Sequence, residues 1–172
     1  MKLLTKALAF ISLSIMISAS AFAHGPTPQK VDEEIKINAD VDTVWQVVKS
    51  FDTFNWHPSV KSIVMTDPDT RVVTLKSGGE MTDSLDEVNA DEHYLSYRLL
   101  EENIEAFPVS FYTITIQVLP DGKTSKVTWS GRFYRADTGN FPAENLNDET
   151  AVKAMVEYAN AGLKGLAATV EK

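Results

Sequence analysis

Asp83, His57 and Tyr97 are the side chains that could serve acid–base catalysis on a carbonyl substrate. Met81 and Leu85, two positions before and after Asp83, are apolar, and alternate residues of a strand point to the same side. We therefore expect Asp83 to face the interior with them. Desolvation there would raise its carboxyl pKa and make it a candidate general base. The alternative is a solvated carboxylate near a sheet edge, or one satisfied by a backbone donor. The ordinary pKa of a histidine lies near neutral pH, so His57, which follows the aromatic Trp56, could act as a general acid or base. Such a histidine can equally cap a helix or close the rim of a cavity.

Aromatic and small side chains are predicted to share that interior. Aromatic residues at strand spacing are usually core, but Gly131 and Gly162 facing the same space could leave room for a small apolar ligand. The candidate ligand-binding residues are Trp56, His57, Asp83, Tyr97, Tyr112, Trp129, Phe133, Met155 and Gly162. His93 has the outward parity and is predicted to lie on the surface.

The sequence predicts no metal site and no cofactor. Cysteine is absent, which removes disulfides, thiolate nucleophiles and cysteine-based metal clusters. No phosphate-binding loop, HExxH motif or nucleophile elbow occurs, and Gly78-Gly79 is predicted to be a hairpin turn. His24 would become the N-terminus after signal cleavage, and it could chelate copper only with a second histidine, either His57 or His93.

Residues 1–23 are predicted to be a cleaved signal peptide that directs the chain to the periplasm. Lys2 and Lys6 precede an apolar run of 11 residues, Ala7–Ile17, which is too short for the roughly 20 residues that span a bilayer. Ala21 and Ala23 are the small residues expected before a cleavage site after Ala23. We therefore expect no stable membrane insertion of the mature protein.

The negative net charge of the chain restricts the kinds of molecule that it can bind. The net charge is −8, and loss of Lys2 and Lys6 would leave 14 basic against 24 acidic residues, a net charge of −10. This acidic charge disfavours nucleic-acid binding and adhesion to anionic lipid, since both need clustered Lys and Arg. Residues 24–29 are predicted to be a flexible leader, and residues 30–172 a single domain.

The helix predicted from Asn147 to Lys172 would hold that domain together. Asn147 is a plausible N-cap, and the helix dipole favours Asp148 and Glu149 in the first turn. An apolar stripe at steps of three and four residues would need a sheet to cover it. The stripe consists of Val152, Met155, Ala159, Leu163, Leu166 and Val170. Gly162 lies close to the stripe, where a glycine allows another backbone or a ligand to approach closely.

Alternating apolar and polar residues predict the sheet. The predicted strands are Gln29–Ile37, Val60–Thr66, Thr70–Lys76, Glu80–Val88, Glu92–Glu102, Val109–Leu119 and Lys126–Arg135. A helix Val41–Ser50 and a short second helix ending before Pro58 would follow the first strand. Short turns between strands favour an antiparallel meander. The predicted class is α+β, with a curved sheet of about seven strands wrapped around the long C-terminal helix.

This order of elements resembles the START/Bet v 1-like (SRPBCC) superfamily, in its polyketide cyclase/dehydrase-like branch. The resemblance covers about residues 30–172 and implies the helix-grip fold. The residues that carry it are Ile37-Asn38-Ala39, Val44-Trp45, Phe51, Trp56-His57-Pro58-Ser59-Val60, Gly78-Gly79, Leu85, Tyr97, Pro108 and Val127-Thr128-Trp129. The family often has Glu-Arg before a leucine of the fourth strand, where this chain has Asp83-Ser84.

Within the superfamily, the segment His24–Val31 and the Trp-His-Pro segment resemble MxaD-type proteins. That resemblance implies a non-enzymatic periplasmic accessory protein of a methanol-oxidation system. Its partner would be methanol dehydrogenase or the cytochrome c that accepts its electrons. Two other functions stay open from the sequence: a cyclase or dehydratase that acts on a carbonyl substrate, and a carrier of a lipid or quinone-like molecule.

Overall fold

A seven-stranded antiparallel sheet wraps against one long helix in the computed structural model, which describes residues 25–172. The strands are β1 Gln29–Ile37, β2 Val60–Asp67, β3 Thr70–Leu75, β4 Glu80–Asn89, β5 Tyr94–Glu101, β6 Val109–Asp121 and β7 Thr124–Arg135. The helices are α1 Val41–Val48, a 3-10 turn Glu144–Leu146 and α2 Asp148–Val170. The predicted signal peptide and His24 lie outside the described residues.

The sheet order is β1-β7-β6-β5-β4-β3-β2, so β2 to β7 form a continuous meander and β1 pairs with β7. Inward and outward side chains alternate along β6 and β7, as the sequence pattern predicted. The predicted α+β helix-grip architecture is therefore confirmed.

Helix α2 covers the concave face of the sheet. The Asn147 side chain accepts from the backbone N–H of Thr150 at 2.9 Å, which makes it the N-cap. The buried face of α2 consists of Ala151, Met155, Ala159, Gly162, Leu163, Leu166 and Ala167. Val152 and Val170, at the margins of the predicted stripe, are only partly buried. Within residues 25–172, no helix combines the length and apolar character needed to cross a membrane.

The predicted second short helix is wrong. Residues 51–58 form turns and bends instead, and α1 ends at Val48 rather than Ser50. We call this segment, Phe51–Pro58, the aromatic strap. Its buried residues, Phe51, Phe54, Trp56 and His57, are interspersed with exposed polar ones. The backbone carbonyl of Phe51 accepts from a buried arginine rather than from a helical N–H, which favours an irregular path.

Several strand boundaries also differ from the prediction by one or two residues. Strand β5 begins at Tyr94 rather than Glu92, because Asn89 Oδ1 accepts from the N–H groups of Asp91 and Glu92 and closes a turn. His93 completes that turn with a φ of 51°. Strands β6 and β7 extend to the hairpin at Gly122, whose φ is 68°.

Candidate functional site

A buried ion pair lies at the centre of the sheet's inner face. Arg71 on β3 and Asp83 on β4 are directly paired across the two strands, so their side chains leave the sheet on the same side. Arg71 Nε donates to Asp83 Oδ2 at 3.0 Å, and Arg71 Nη2 lies 2.9 Å from the same oxygen. Each residue is only 1% exposed. The predicted inward direction of Asp83 is thus observed, with a side-chain partner rather than solvent or a backbone donor.

Tyr112 on β6 completes the polar contacts of this carboxylate by donating its hydroxyl to Asp83 Oδ1. Burial raises the pKa of Asp83, while the Arg71 guanidinium and the Tyr112 hydroxyl act in the opposite direction. Burial and the adjacent carboxylate raise the pKa of Tyr112 well above its ordinary value, so its phenol stays protonated and remains a donor. Both Asp83 oxygens are therefore occupied by protein donors.

Aromatic rings surround the guanidinium of Arg71. Its Cζ lies 4.2 Å from the ring centroid of Phe51, 4.4 Å from that of Phe54 and 4.8 Å from that of Tyr97. Arg71 Nη1 also donates to the backbone carbonyl of Phe51 at 3.0 Å. These contacts offset the free-energy cost of burying the guanidinium cation away from water.

Arg71 was missed by the sequence analysis, although its position carried a signal. It shares the inward parity of Val73 and Leu75 on the same strand, and an arginine on a core face requires a buried acidic partner. Arg71 also supplies a guanidinium next to Asp83, although Ser84 follows Asp83 in this chain where the family often has an arginine.

His57 lies in the interior as a neutral ring. Its Nε2 lies 3.0 Å from the backbone carbonyl of Tyr158, which can only accept, and its Nδ1 accepts from the N–H of Ser59 at 3.2 Å. Burial lowers the pKa of His57 to about 4. Both nitrogens are committed to backbone groups, and the ring stacks on that of Tyr158 at 4.0 Å.

Two glycines of α2 bring the aromatic strap against the helix. A Cβ on Gly162 would lie 2.6 Å from Trp129 and 2.7 Å from His57. A Cβ on Gly165 would lie 2.1 Å from the carbonyl oxygen of Trp56. The close approach predicted at Gly162 is therefore made by aromatic rings of the protein itself. At Gly131, a Cβ would meet the backbone of Thr113 at 2.0 Å, so this glycine also faces no open space.

The other predicted site residues are packed in the same interior. Tyr97 and Tyr112 make an edge contact at 6.1 Å between ring centroids. Phe133 and Met155 are at most 1% exposed. His93 lies apart from them, with its Nε2 3.8 Å from Asp42 Oδ1 and a side chain that is 28% exposed. Within residues 25–172, no group of three or more His, Asp or Glu side chains is placed to hold a metal ion.

An acidic groove of about 500 Å³ opens on the outer side of the sheet. Its lining residues are Val72, Glu80, Thr82, Glu101, Glu102, Asn103, Ile104 and Glu105. Glu80 accepts from Thr74 Oγ1 at 3.1 Å, and Glu101 from Thr82 Oγ1 at 3.3 Å. None of the four glutamates that line the groove (Glu80, Glu101, Glu102 and Glu105) has a salt-bridge partner among the described residues.

Comparison with known proteins shows which family the chain matches. The family model described as polyketide cyclase / dehydrase and lipid transport matches residues 28–171. An uncharacterized protein from Bacillus thuringiensis is 26% identical, with a TM-score of 0.71, over 84% of this chain and 100% of its own. The protein XoxI from Bacillus cereus is 27% identical, with a TM-score of 0.71, over 83% of this chain and 96% of its own.

A more distant solved structure shares the fold. The Zhui aromatase/cyclase from Streptomyces sp. R1128 is 16% identical, with a TM-score of 0.69, over 84% of this chain and 94% of its own. At that identity the likeness shows the fold and not the activity. No curated protein matches the sequence significantly.

Proposed function

Because the chain belongs to the polyketide cyclase, dehydrase and lipid-transport family, we propose that it is a non-enzymatic member acting as a periplasmic accessory protein. Its partner is methanol dehydrogenase or the cytochrome c of that system, as the MxaD-type resemblance implies. The protein acts by surface contact with the more basic of these partners. The observation that carries the proposal is the acidic groove between β4, β5 and the loop that follows β5.

The contacts of the interior support a role without catalysis. A general acid or base must reach the proton it transfers, directly or through one water. Both nitrogens of His57 and both carboxylate oxygens of Asp83 are already engaged by protein groups. A cyclase or dehydratase mechanism through these residues would first have to break several buried hydrogen bonds.

The acidic groove supports docking because its charge is uncompensated. Four glutamates, Glu80, Glu101, Glu102 and Glu105, lie around an opening that also exposes the apolar side chains of Val72 and Ile104. A lysine or arginine of a partner could rest its alkyl stem on the apolar residues and direct its charge to the carboxylates.

The proposal is tested by measuring electron transfer from methanol dehydrogenase to its cytochrome with and without this protein across a salt series. We expect stimulation that weakens as salt rises, because the Debye length shortens to about 8 Å at physiological ionic strength. The double variant Glu101→Lys/Glu102→Lys should abolish most of the stimulation. No effect of the folded wild-type protein at any salt concentration would overturn the proposal.

The matched control is Asp91→Lys/Glu92→Lys, which makes the same change in net charge. Residues 91 and 92 precede β5 and residues 101 and 102 lie at its other end, a separation of roughly 20–25 Å for a strand of this length. We expect the control variant to retain most of the stimulation. Equal losses in both variants would mean that overall charge acts, and not a docking groove.

A further inference from the structure

Phe141 is the most exposed large apolar side chain in the described part of the protein. It is 96% exposed, whereas the other exposed large apolar residues range from 37% for Phe111 to 59% for Val64. It lies in residues 137–146, between β7 and α2, a segment that we call the phenylalanine loop. Scattered apolar side chains are ordinary on a protein surface, so exposure alone does not make Phe141 a binding residue.

The phenylalanine loop is closed and braced by its own polar groups. The N–H of Asp137 donates to the carbonyl of Leu146 at 3.2 Å, which joins the two ends of the loop. One carboxylate oxygen of Asp137 accepts from the N–H of Gly139 at 2.8 Å, and the other accepts from the N–H of Ala143 at 3.1 Å. Compact loops whose ends lie close together frequently serve a function. The exposed ring lies between the two residues that this carboxylate holds, so its backbone is fixed on both sides.

A buried arginine at the end of β7 ties the phenylalanine loop to the rest of the protein. Arg135 is 7% exposed. Its Nε donates to the carbonyl of Asp137 at 2.6 Å, and its Nη2 donates to the carbonyl of Gly139 at 2.9 Å. Its Nη1 donates to the carboxylate of Asp148, in the first turn of α2, at 2.8 Å. Because the loop is ordered before any partner binds, little conformational entropy is lost on binding.

An apolar groove of about 420 Å³ adjoins the end of the phenylalanine loop. Its lining residues are Ile104, Glu105, Pro108, Asn145 and Leu146. Ile104 and Glu105 also line the acidic groove, so the two grooves share a wall. From Leu146 to Phe141 the chain spans at most about 18 Å. A standard interface of about 800 Å² per partner, roughly 30 Å across, is wide enough to cover the shared wall and the exposed ring together.

The charge around this surface is negative and uncompensated. Residues 136–149 contain four acidic residues and no basic one. Glu105, Glu144 and Glu149 are exposed and have no salt-bridge partner among the residues that the structure describes. A surface of this charge repels anionic lipid and attracts a protein that is rich in lysine and arginine. The charge therefore favours a basic protein as the partner over a membrane.

We propose that Phe141 is the apolar anchor of the docking surface and inserts into an apolar pocket of the basic partner, whose lysine and arginine side chains reach the acidic groove. This inference deepens the proposed function and rests on it, since the partner is the one that docks at the acidic groove. A buried aromatic anchor acts mainly on how long a complex lasts, whereas charges at the rim act on how fast it forms. The two features therefore have separable kinetic effects.

Surface plasmon resonance tests the anchor, with purified methanol dehydrogenase and its cytochrome immobilised in turn. Phe141→Ser should weaken binding at least about tenfold, chiefly through faster dissociation, and leave the salt dependence of association unchanged. Because the ring is exposed, the melting temperature should stay within about 2 °C of wild type. Phe141→Tyr keeps an aromatic anchor and should lose less affinity than Phe141→Ser. Equal losses in these two variants would overturn the proposal.

Phe111→Ser is the matched control, because Phe111 is an exposed phenylalanine of β6 that lines neither groove. We expect the folded control variant to bind within about twofold of wild type. A loss of affinity as large as that of Phe141→Ser would show that any exposed phenylalanine has the same effect, and it would overturn the assignment of Phe141 as the anchor.

The charge variant separates this inference from the proposed function. Glu101→Lys/Glu102→Lys should slow association and flatten its salt dependence. If that variant weakens binding and Phe141→Ser does not, the acidic groove stands and the anchor is overturned. If the wild-type protein binds neither immobilised protein at any salt concentration, both are overturned. Binding to phosphatidylcholine vesicles that requires Phe141, with partner binding unaffected by Phe141→Ser, would assign the ring to a membrane and also overturn the anchor.

Discussion

At the scale of single residues, the interior depends on charges that are buried only because they are paired. Arg71 and Asp83 each lose nearly all their contact with water, and their mutual ion pair replaces the lost interactions. Tyr112 donates a further hydrogen bond to Asp83, and the backbone carbonyl of Phe51 accepts one from Arg71. Such pairs contribute little net stability, but removal of one partner leaves the other charge uncompensated.

Substitution Asp83→Asn should therefore lower the free energy of unfolding by about 3–5 kcal/mol, because Arg71 would remain charged in the interior. Urea unfolding followed by circular dichroism measures the difference. Asp86→Asn is the control, because it breaks the more exposed pair with Arg98, for which about 0–1 kcal/mol is expected. Equal effects of the two substitutions would contradict the burial argument.

His57 should make the fold sensitive to acid. Its pKa in the folded state, about 4, lies below the ordinary 6.5, first because burial disfavours the charged ring. Between these values the unfolded chain binds the extra proton, so stability is complete above pH 6.5 and falls as the pH is lowered toward 4. From this linkage we expect a loss of about 2 kcal/mol between pH 7.5 and pH 5.

Urea unfolding at those two pH values checks this expectation. His57→Gln should remove most of the difference between them, whatever its effect on stability at pH 7.5. His93→Gln should retain the difference, because His93 lies at the partly exposed β4–β5 turn. A wild-type stability that is equal at the two pH values would show that His57 is not held neutral.

The inward directions of Asp83 and of Arg71 could both be predicted from strand parity, whereas their pairing with each other could not. Arg71 and Asp83 are brought together by the register of β3 with β4, which depends on the turn between them and on packing of the whole sheet. The neutral state of His57 likewise depends on Tyr158, a residue about a hundred positions away. Local patterns indicate which way a side chain points, but not what it meets.

At the scale of elements, α2 and the aromatic strap are fitted to each other through the glycines of the helix. An ordinary glycine in a helix costs about 1 kcal/mol relative to alanine. In α2, a side chain at Gly165 would collide with the backbone carbonyl of Trp56 and with Pro58 Cδ at 2.7 Å. A backbone group cannot move away as a flexible side chain can.

Gly165→Ala should therefore destabilise the protein by about 1–3 kcal/mol, despite its better helix propensity. The effect is measured by thermal or urea unfolding. Ala168→Gly, at an exposed position of the same helix, should cost only the propensity difference of about 1 kcal/mol. A stabilised Gly165→Ala variant would mean that the strap does not press on the helix.

Regular elements could be predicted from periodicity, while the aromatic strap could not. Strands β6 and β7 and helix α2 have long repeating patterns that local sequence determines. In the strap, buried aromatic residues occur without a helical or strand period, because their neighbours come from different parts of the fold. Phe51 and Phe54 pack on Arg71 of β3, and His57 packs on Tyr158 of α2. Tertiary contacts therefore decide its path.

At the scale of the whole molecule, the proposed periplasmic role requires export. The signal peptide predicted over residues 1–23 should be removed after Ala23, leaving His24 as the first residue. Intact-mass spectrometry of the protein recovered from the periplasmic fraction checks this. A chain recovered with residues 1–23 attached, or retained in the cytoplasm, would contradict the export prediction and with it the proposed partners.

The position of β1 in the sheet has a consequence for how the chain folds. Strands β2 to β7 pair with their neighbours in sequence, but β1 pairs with β7, so that Gln29 lies opposite Phe133. Closing a loop of that size carries an entropy cost that must be met before the pairing contributes stability. We therefore expect β1, although it precedes the other strands in the sequence, to be among the last strands to join the sheet. If the chain is exported as proposed, this delay would keep it from folding before its transport is complete.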